Sequence, residues 1–386
     1  MVILMKKKEM QTMPEIDLIE GFRNPLHMKG LADIIKKECV SKINIMEVCG
    51  GHTHTIMKFG LSQILPDLID FVHGPGCPVC IMPKERIDHA IALASMPNTI
   101  LATLGDMIRV PGSKTSLQKL RADGKDIRSL YSPLDVLKIA KENPDKKVVF
   151  FAIGFETTTP MSAVLIQNAI EQKLTNVYFH INHVTVPEAV EAIMSSGDAQ
   201  IDAFLGPSHV SVITGYKIYE PIAQKYQTPI VVAGFEPTDV MESVLRIVRQ
   251  VNKKKAFVDN EYARAVSREG NVKAQNLINT YLEKRSHFRW RGIGDIPLSA
   301  LKLKDEFAYL DAEIVFKDVL PTVELDDHKM CICGDILKGK AKPFDCKVFG
   351  KACTPSNPMG SCMVSSEGAC SAYFKYGKLS QKGGML

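Results

Sequence analysis

Six of the ten cysteines of this 386-residue chain fall between residues 331 and 370. They read Cys331-x-Cys333, then Cys346, Cys353, Cys362 and Cys370, with 12, 6, 8 and 7 residues between successive members after the first pair. Thiolates are soft donors suited to zinc or to iron–sulfur clusters. Structural zinc sites usually bring paired C-x2-C knuckles, each wrapping one side of a tetrahedron, and this tail contains none. Single cysteines spaced through Gly/Pro-rich loops suit a larger cluster, whose irons are spread over a cube, with zinc as the alternative. A four-thiolate cluster leaves two cysteines over. They are either a redox pair beside the cluster, to which a C-x-C element lends itself, or inert buried thiols.

Two more thiol motifs lie near the N-terminus. Cys49-Gly50-Gly51-His52-Thr53-His54 follows the β-branched run 43–48, so Cys49 is expected at the carboxyl end of a strand, where open α/β sheets carry functional groups. The glycines allow a tight bend, and a following helix N-terminus is expected to lower the thiol pKa. The bland alternative is a buried strand-end cysteine with His52 satisfied by a carbonyl. Cys77-Pro-Val-Cys80 also stands between a strand and a helix, as thioredoxin-like redox motifs do, and would equally supply two metal ligands. Cys49 and Cys77/Cys80 are expected to meet over adjacent strand ends. Cys39 has no partner pattern. His180, His183 and His209 read as polar loop or core residues, and Glu156, Thr157 and Thr158 as a helix cap.

These residues need elements to position them. Apolar spacing predicts a helix from about 15 to 40, broken at Pro25. Beyond it, short β-branched runs alternate with helical segments, the pattern of parallel α/β layers. Strands are expected at 43–48, 68–73, 99–104, 147–153, 177–181, 203–205 and 229–233, and a solvent-facing helical stretch from Thr238 to about Arg285. The expected fold is α/β, with two Rossmann-like parallel-sheet domains and a small irregular iron–sulfur module. The expected divisions are a helical segment at 1–41, a first α/β domain at 42–145, a second with trailing helices at 146–285, and the cysteine-rich domain at 286–386. Gly-Phe-Glu-x-Thr occurs at both 154 and 234, read as two similar strand-to-helix turns. Neither Gly-rich turn fits a nucleotide-binding fingerprint.

Hydrophobic residues make up 45% and charged residues 24%, an ordinary globular composition. The net charge of +5 is dispersed, which argues against nucleic acid as a partner. No apolar run approaches the ~20 residues of a membrane span, and no signal peptide is evident, so a cytoplasmic protein is expected. In that reducing compartment clustered cysteines are ligands or redox thiols rather than staples.

Taken together, Cys-Gly-Gly-His-Thr-His (49–54), Gly-Pro-Gly-Cys-Pro-Val-Cys (74–80), Gly-Phe-Glu-Thr-Thr-Thr-Pro (154–160) and the tail resemble the HypD family of NiFe hydrogenase maturation proteins. The tail match covers Phe349-Gly350, Cys353-Thr354-Pro355, Gly360-Ser361-Cys362-Met363-Val364 and Glu367-Gly368-Ala369-Cys370. The resemblance implies a redox-active assembly scaffold rather than a multiple-turnover enzyme. With a HypC-type chaperone it would hold iron while the Fe(CN)2CO group is assembled, a HypE-type protein delivering the cyanide. It implies iron at Cys49, with Cys77 and Cys80 close by and functional. By the family's similarity to ferredoxin–thioredoxin reductase, it implies a 4Fe-4S cluster on Cys331, Cys346, Cys353 and Cys370 and a redox pair Cys333/Cys362. His52 is expected to orient the cyanide donor or carry a proton. The competing expectations are a stand-alone 4Fe-4S thiol–disulfide oxidoreductase and a zinc-stabilised interaction module.

Overall fold

The computed structural model describes residues 20–197, 199–323 and 328–380. The first long helix, Pro25–Glu38, begins at the proline that interrupts the expected helix. Proline suits the first helical position, and the Asn24 side chain caps it by accepting from the Leu26 and His27 amides at 2.9 and 3.3 Å. The part of the expected helix before residue 20 lies outside the described residues.

Nine strands follow: β1 Ile43–Glu47, β2 Ile69–His73, β3 Thr99–Leu104, β4 Ile127–Leu130, β5 Lys147–Gly154, β6 Val177–His183, β7 Ala203–Pro207, β8 Ile230–Ala233 and β9 Val258–Asn260. They form two parallel sheets, ordered β2-β1-β7-β8-β9 and β4-β3-β5-β6. Helices cover both faces, so central strands are apolar without alternation; every residue of β5 after Lys147 is buried. The α/β class with parallel sheets is as expected.

The division of the chain between the sheets is not. Strands β3 and β4 pair with β5 and β6, with Ile100 opposite Val148, so the expected boundary at 145/146 runs through one sheet. The other sheet starts with β1 and β2, is interrupted by the whole second sheet, and resumes with β7, where Glu47 lies opposite Leu205. Apolar runs identify strands one at a time. Which strands become neighbours depends on which crossover buries more surface, and that is not written locally.

The helix Pro237–Asn252 departs from its expected solvent-facing role. Val240, Met241, Val244, Leu245, Ile247 and Val248 are buried, in a core shared with Leu31 and Ile35 of the first helix and Val231 of β8. The charges of Glu242, Arg246 and Arg249 mask this apolar stripe in the sequence. Beyond it come two small antiparallel pairs. Strand β10 (Leu282–Lys284) pairs with β13 (Leu301–Leu303), and β11 (His287–Trp290) with β12 (Gly294–Pro297).

The cysteine-rich tail does not stand apart. Cys333, Cys353, Cys362, Met363 and Val364 join the largest core, alongside Cys77, Cys80 and Ile81. The last helix, Ala369–Ser380, lies on the helix Gly50–Lys58, where Ala372 and Tyr373 pack on Met57.

Candidate functional site

In each sheet the strand order reverses direction once, between β1 and β7 in one and between β3 and β5 in the other. Such switch points leave a crevice beyond the carboxyl ends of the strands. Here the two crevices face each other and merge into one cavity of about 780 Å³. Cys49, Asp106, Thr157 and His209 line it, each just past the end of β1, β3, β5 or β7, and Ser365–Glu367 of the cysteine-rich tail close one side.

Cys49 is extended (φ −148°, ψ 127°) and is the residue from which the helix Gly50–Lys58 starts. The β2 turn lies directly against it. Gly50 N–H donates to Gly76 O at 3.2 Å and Gly74 N–H to Glu47 O at 2.8 Å. A Cβ on Gly76 would collide with the Cys49 backbone nitrogen and Cα, so this crossing requires glycine. The expected meeting of the two thiol motifs over adjacent strand ends is thus present. Cys77 and Cys80 are joined as a disulfide. Both are buried, at 2% and 0% exposure, while Cys49 stays partly exposed.

The expectation of a lowered Cys49 pKa is overturned. Burial pushes the thiol up to about 12, helped by the carboxylates of Glu367 and Glu47 and opposed by hydrogen bonds from Gly51 and His52. Desolvation outweighs the helix terminus here.

Glu47 sets the Cys49 backbone. It is 1% exposed, accepts from Cys49 N–H at 3.2 Å and from the Thr53 hydroxyl, and lies 2.6 Å from His73 Nδ1. His73 Nε2 is in turn 3.0 Å from the Tyr373 hydroxyl. Glu47 and His73 are register partners at the ends of β1 and β2. Sequence reasoning missed both, although a carboxylate ending an otherwise apolar strand was a usable signal.

His52 does not point into the cavity. Its Nε2 lies 3.0 Å from Ala233 O and 3.1 Å from Gly234 O, and its ring packs on Phe235. Burial pushes its pKa down to about 4. The ring thus bridges the Cys49 helix and the end of β8. The histidine that does line the cavity is His209, also against Phe235.

Glu156 does not cap the helix it precedes. Its Oε1 accepts the Val186 N–H at 3.0 Å, at the start of the helix Val186–Ser195. Its Oε2 is buried with no hydrogen bond among the described residues. Burial pushes the carboxyl up to about 8, so behind the cavity wall stands a carboxylic acid that exchanges its proton near neutral pH.

In the tail, Cys331, Cys333 and Cys370 lie close enough for each thiol to act on its neighbours' ionisation. Cys353 and Cys362 lie within electrostatic reach of this group. The backbone turns close over it at Gly360, where a Cβ would come within 2.6 Å of Cys331 Sγ and 3.2 Å of Cys333 Sγ. Cys346 sits at the rim, its sulfur 3.9 Å from Met330 O. The neighbouring Cys333 thiol and then burial push the Cys331 and Cys370 thiols up. Crowded thiols hold their protons until a metal replaces them. A soft donor set under a glycine cradle fits a thiolate-held metal centre, and it offers more sulfurs than a tetrahedral zinc requires. The tail reaches the cavity motif directly, because Ser361, next to Cys362, donates its hydroxyl to Cys80 O at 2.7 Å.

One further group has metal-like geometry: the atoms of His89, His180 and Glu313 converge. Their donors are already used. His89 and His180 pair at 3.1 Å, the outer nitrogens bond Pro321 O and Asn182, and Glu313 is paired with Arg86 and Arg285. Among the described residues, no helix is long and apolar enough to cross a membrane.

A family model, HypD, described as the hydrogenase formation hypA family, matches residues 27–377. The chain is 49% identical to the hydrogenase maturation factor HypD2 of Bradyrhizobium diazoefficiens, over 93% of this chain and 96% of that one. It is 50% identical to HypD of Rhizobium leguminosarum bv. viciae, covering 88% and 89% of the two chains. HypD of Escherichia coli is 43% identical, covering 91% and 93%. The chain therefore belongs to the HypD family of hydrogenase maturation factors.

Proposed function

We propose that this chain is an assembly scaffold that, with a HypC-type chaperone, holds an iron ion as cargo while the Fe(CN)2CO group of a NiFe hydrogenase is built. The observation that carries this reading is the position of Cys49, at the base of a cavity where the ends of both parallel sheets converge, in backbone contact with the Cys77/Cys80 turn. Cyanide and carbon monoxide are strong-field ligands suited to low-spin ferrous iron, and thiolates complement them. Cys49 would give one thiolate to the cargo and the chaperone another, while a HypE-type protein delivers cyanide through the open side of the cavity. The reaction takes place in the cytoplasm, where the cargo thiols stay reduced.

Cys77 and Cys80 are the redox thiols nearest Cys49. As a dithiol they release two electrons and two protons on forming the disulfide. A 4Fe-4S cluster on Cys331, Cys346, Cys353 and Cys370 would supply single electrons when bound. Cys333 and Cys362 would gather those electrons, with Cys362 next to the Ser361–Cys80 contact. The chain's own task is to hold these thiols in one water-poor core.

The burial of both Cys77 and Cys80 counsels against a stand-alone oxidoreductase, because thiol exchange requires a partner to reach a sulfur. Assay of the anaerobically purified full chain against a thioredoxin-type disulfide tests the choice. The scaffold reading expects iron and acid-labile sulfide in the protein and no turnover beyond stoichiometric reduction. Repeated turnover overturns it in favour of the oxidoreductase.

A further inference from the structure

Basic residues that are spread through the sequence converge on one cleft beside the cysteine-rich tail. Residues 109–125 hold five cations, Arg109, Lys114, Lys119, Arg121 and Lys125, against one carboxylate, Asp123. A tight turn, closed by Gly112 N–H donating to Thr115 O at 2.9 Å, carries Lys114. Ser116 then caps the short helix Leu117–Ala122 by accepting the Lys119 N–H at 3.3 Å. This segment makes one wall of a cleft of about 530 Å³, lined by Arg109, Lys114 and Lys119 on that side and by Ser356, Asn357 and Pro358 of the tail on the other. No carboxylate lines it among the described residues. Lys114 and Lys119 are exposed and make no ion pair among those residues.

Both walls are tied to cysteine-bearing backbone. Arg109 Nη2 donates to Val364 O at 2.8 Å, two residues after Cys362. The tail wall is a turn closed by Thr354 N–H to Asn357 O at 3.3 Å and Asn357 N–H to Thr354 O at 3.0 Å. It leaves directly from Cys353, and just past it Met359 N–H donates to Cys353 Sγ at 3.4 Å. Asn357 Nδ2 also donates to Ala352 O at 3.0 Å, which carries the basic patch on to the exposed Lys351. Cys353 itself is only 7% exposed. One turn of chain therefore separates its sulfur from the cations of the cleft.

We propose that this basic cleft is the docking surface for an acidic protein that carries single electrons and delivers them to the thiolate-held centre of the tail. This rests on the reading that the tail holds an iron–sulfur cluster. Charge complementarity selects the partner. Exposed cations with no carboxylate among them attract an acidic patch, speed the encounter and repel a basic carrier. In each encounter one electron leaves the reduced carrier and enters the centre, and no bond forms or breaks. Two encounters supply the two electrons that, with two protons, open one disulfide.

The test uses the full chain purified anaerobically, with iron and acid-labile sulfide measured first. The probe is flavodoxin hydroquinone, an acidic one-electron carrier, mixed by stopped flow at low ionic strength. The methyl viologen radical, a small cation, is the control reductant. The variants are Lys114→Glu/Lys119→Glu/Lys351→Glu, the same three positions changed to Gln, and Lys29→Glu/Lys36→Glu/Lys37→Glu on the first helix, which alters net charge as much as the cleft Glu variant does. With flavodoxin the cleft Glu variant should react about thirtyfold more slowly than wild type, the Gln variant about fivefold, and the first-helix variant within about twofold. Added salt should slow the wild type and not the cleft Glu variant, and methyl viologen should reduce every variant at least as fast as wild type. Wild-type rates with flavodoxin in both cleft variants overturn the inference. So does equal slowing in the first-helix variant, or a wild type that methyl viologen reduces and flavodoxin does not. Where the Glu variant loses iron, the Gln variant decides by the same criterion, and loss from both overturns the inference in favour of a packing role. Zinc without sulfide in the wild type overturns the underlying reading, and the inference with it.

Discussion

The two thiol regions of this chain are built on opposite principles. At Cys49 the geometry comes from regular backbone: paired strand ends, a glycine crossing and the Glu47–His73–Tyr373 chain of hydrogen bonds. In the tail the sulfurs come from short turns and from the starts of two helices, at Cys333 and Cys370, and crowd beneath Gly360. The first region is set by the backbone, and its thiol stays partly exposed at the cavity. The second gathers soft donors beneath Gly360, a donor set that fits a thiolate-held metal centre.

Metal removal should split the regions most widely. Chelation and oxidation of the centre should speed amide hydrogen exchange in residues 331–380 by about tenfold or more, while β5 and β6 stay protected. Exchange monitored by mass spectrometry decides this, and equal loss of protection in both regions would erase the contrast. The next largest effect is at the glycine crossing. Gly76→Ala forces a Cβ into the Cys49 backbone and should cost about 3 kcal/mol in urea unfolding. Gly105→Ala, on the same cavity wall with nothing within 4 Å, should be nearly neutral.

Glu156 gives the cavity side a pH signature. Its folded pKa of about 8 lies above the ordinary carboxyl value of 4.5. The folded state therefore keeps a proton that the unfolded chain has lost, and its contribution falls as pH rises through this window, levelling above about 8. Urea midpoints should decline from pH 5 to pH 8 by more in the wild type than in Glu156→Gln, by roughly 2 kcal/mol. Equal slopes would place the carboxyl's proton elsewhere. The smallest stability effect belongs to Tyr131, wholly exposed at the cavity lip. Tyr131→Ala should change unfolding by less than about 0.5 kcal/mol.

The sequence made the strands and the thiol motifs legible because both are local. Runs such as Val148–Ile153 announce buried parallel strands, and Cys-Gly-Gly and Gly-Pro-Gly-Cys mark the turns that follow them. What it hid was pairing. Nothing in residues 99–104 says that they join 147–154 rather than 43–47, yet that choice sets which strand ends face Cys49. The sequence offers a carbonyl as a partner for His52 without saying which one, and it does not show the helix that Glu156 serves, for the same reason. The partner of His52 is Ala233, on a strand 181 positions away, and Glu156 caps a helix 30 positions on. The buried face of the Pro237–Asn252 helix was hidden by the charges interleaved with it.

The central claim is that cargo iron is held at Cys49. Infrared spectroscopy of the anaerobically co-purified complex with a HypC-type chaperone, wild type against Cys49→Ala, tests it most directly. The account predicts cyanide and carbonyl bands in the wild type and their loss in the variant, with the iron and sulfide of the tail unchanged. Bands of unaltered position and intensity in Cys49→Ala would contradict it.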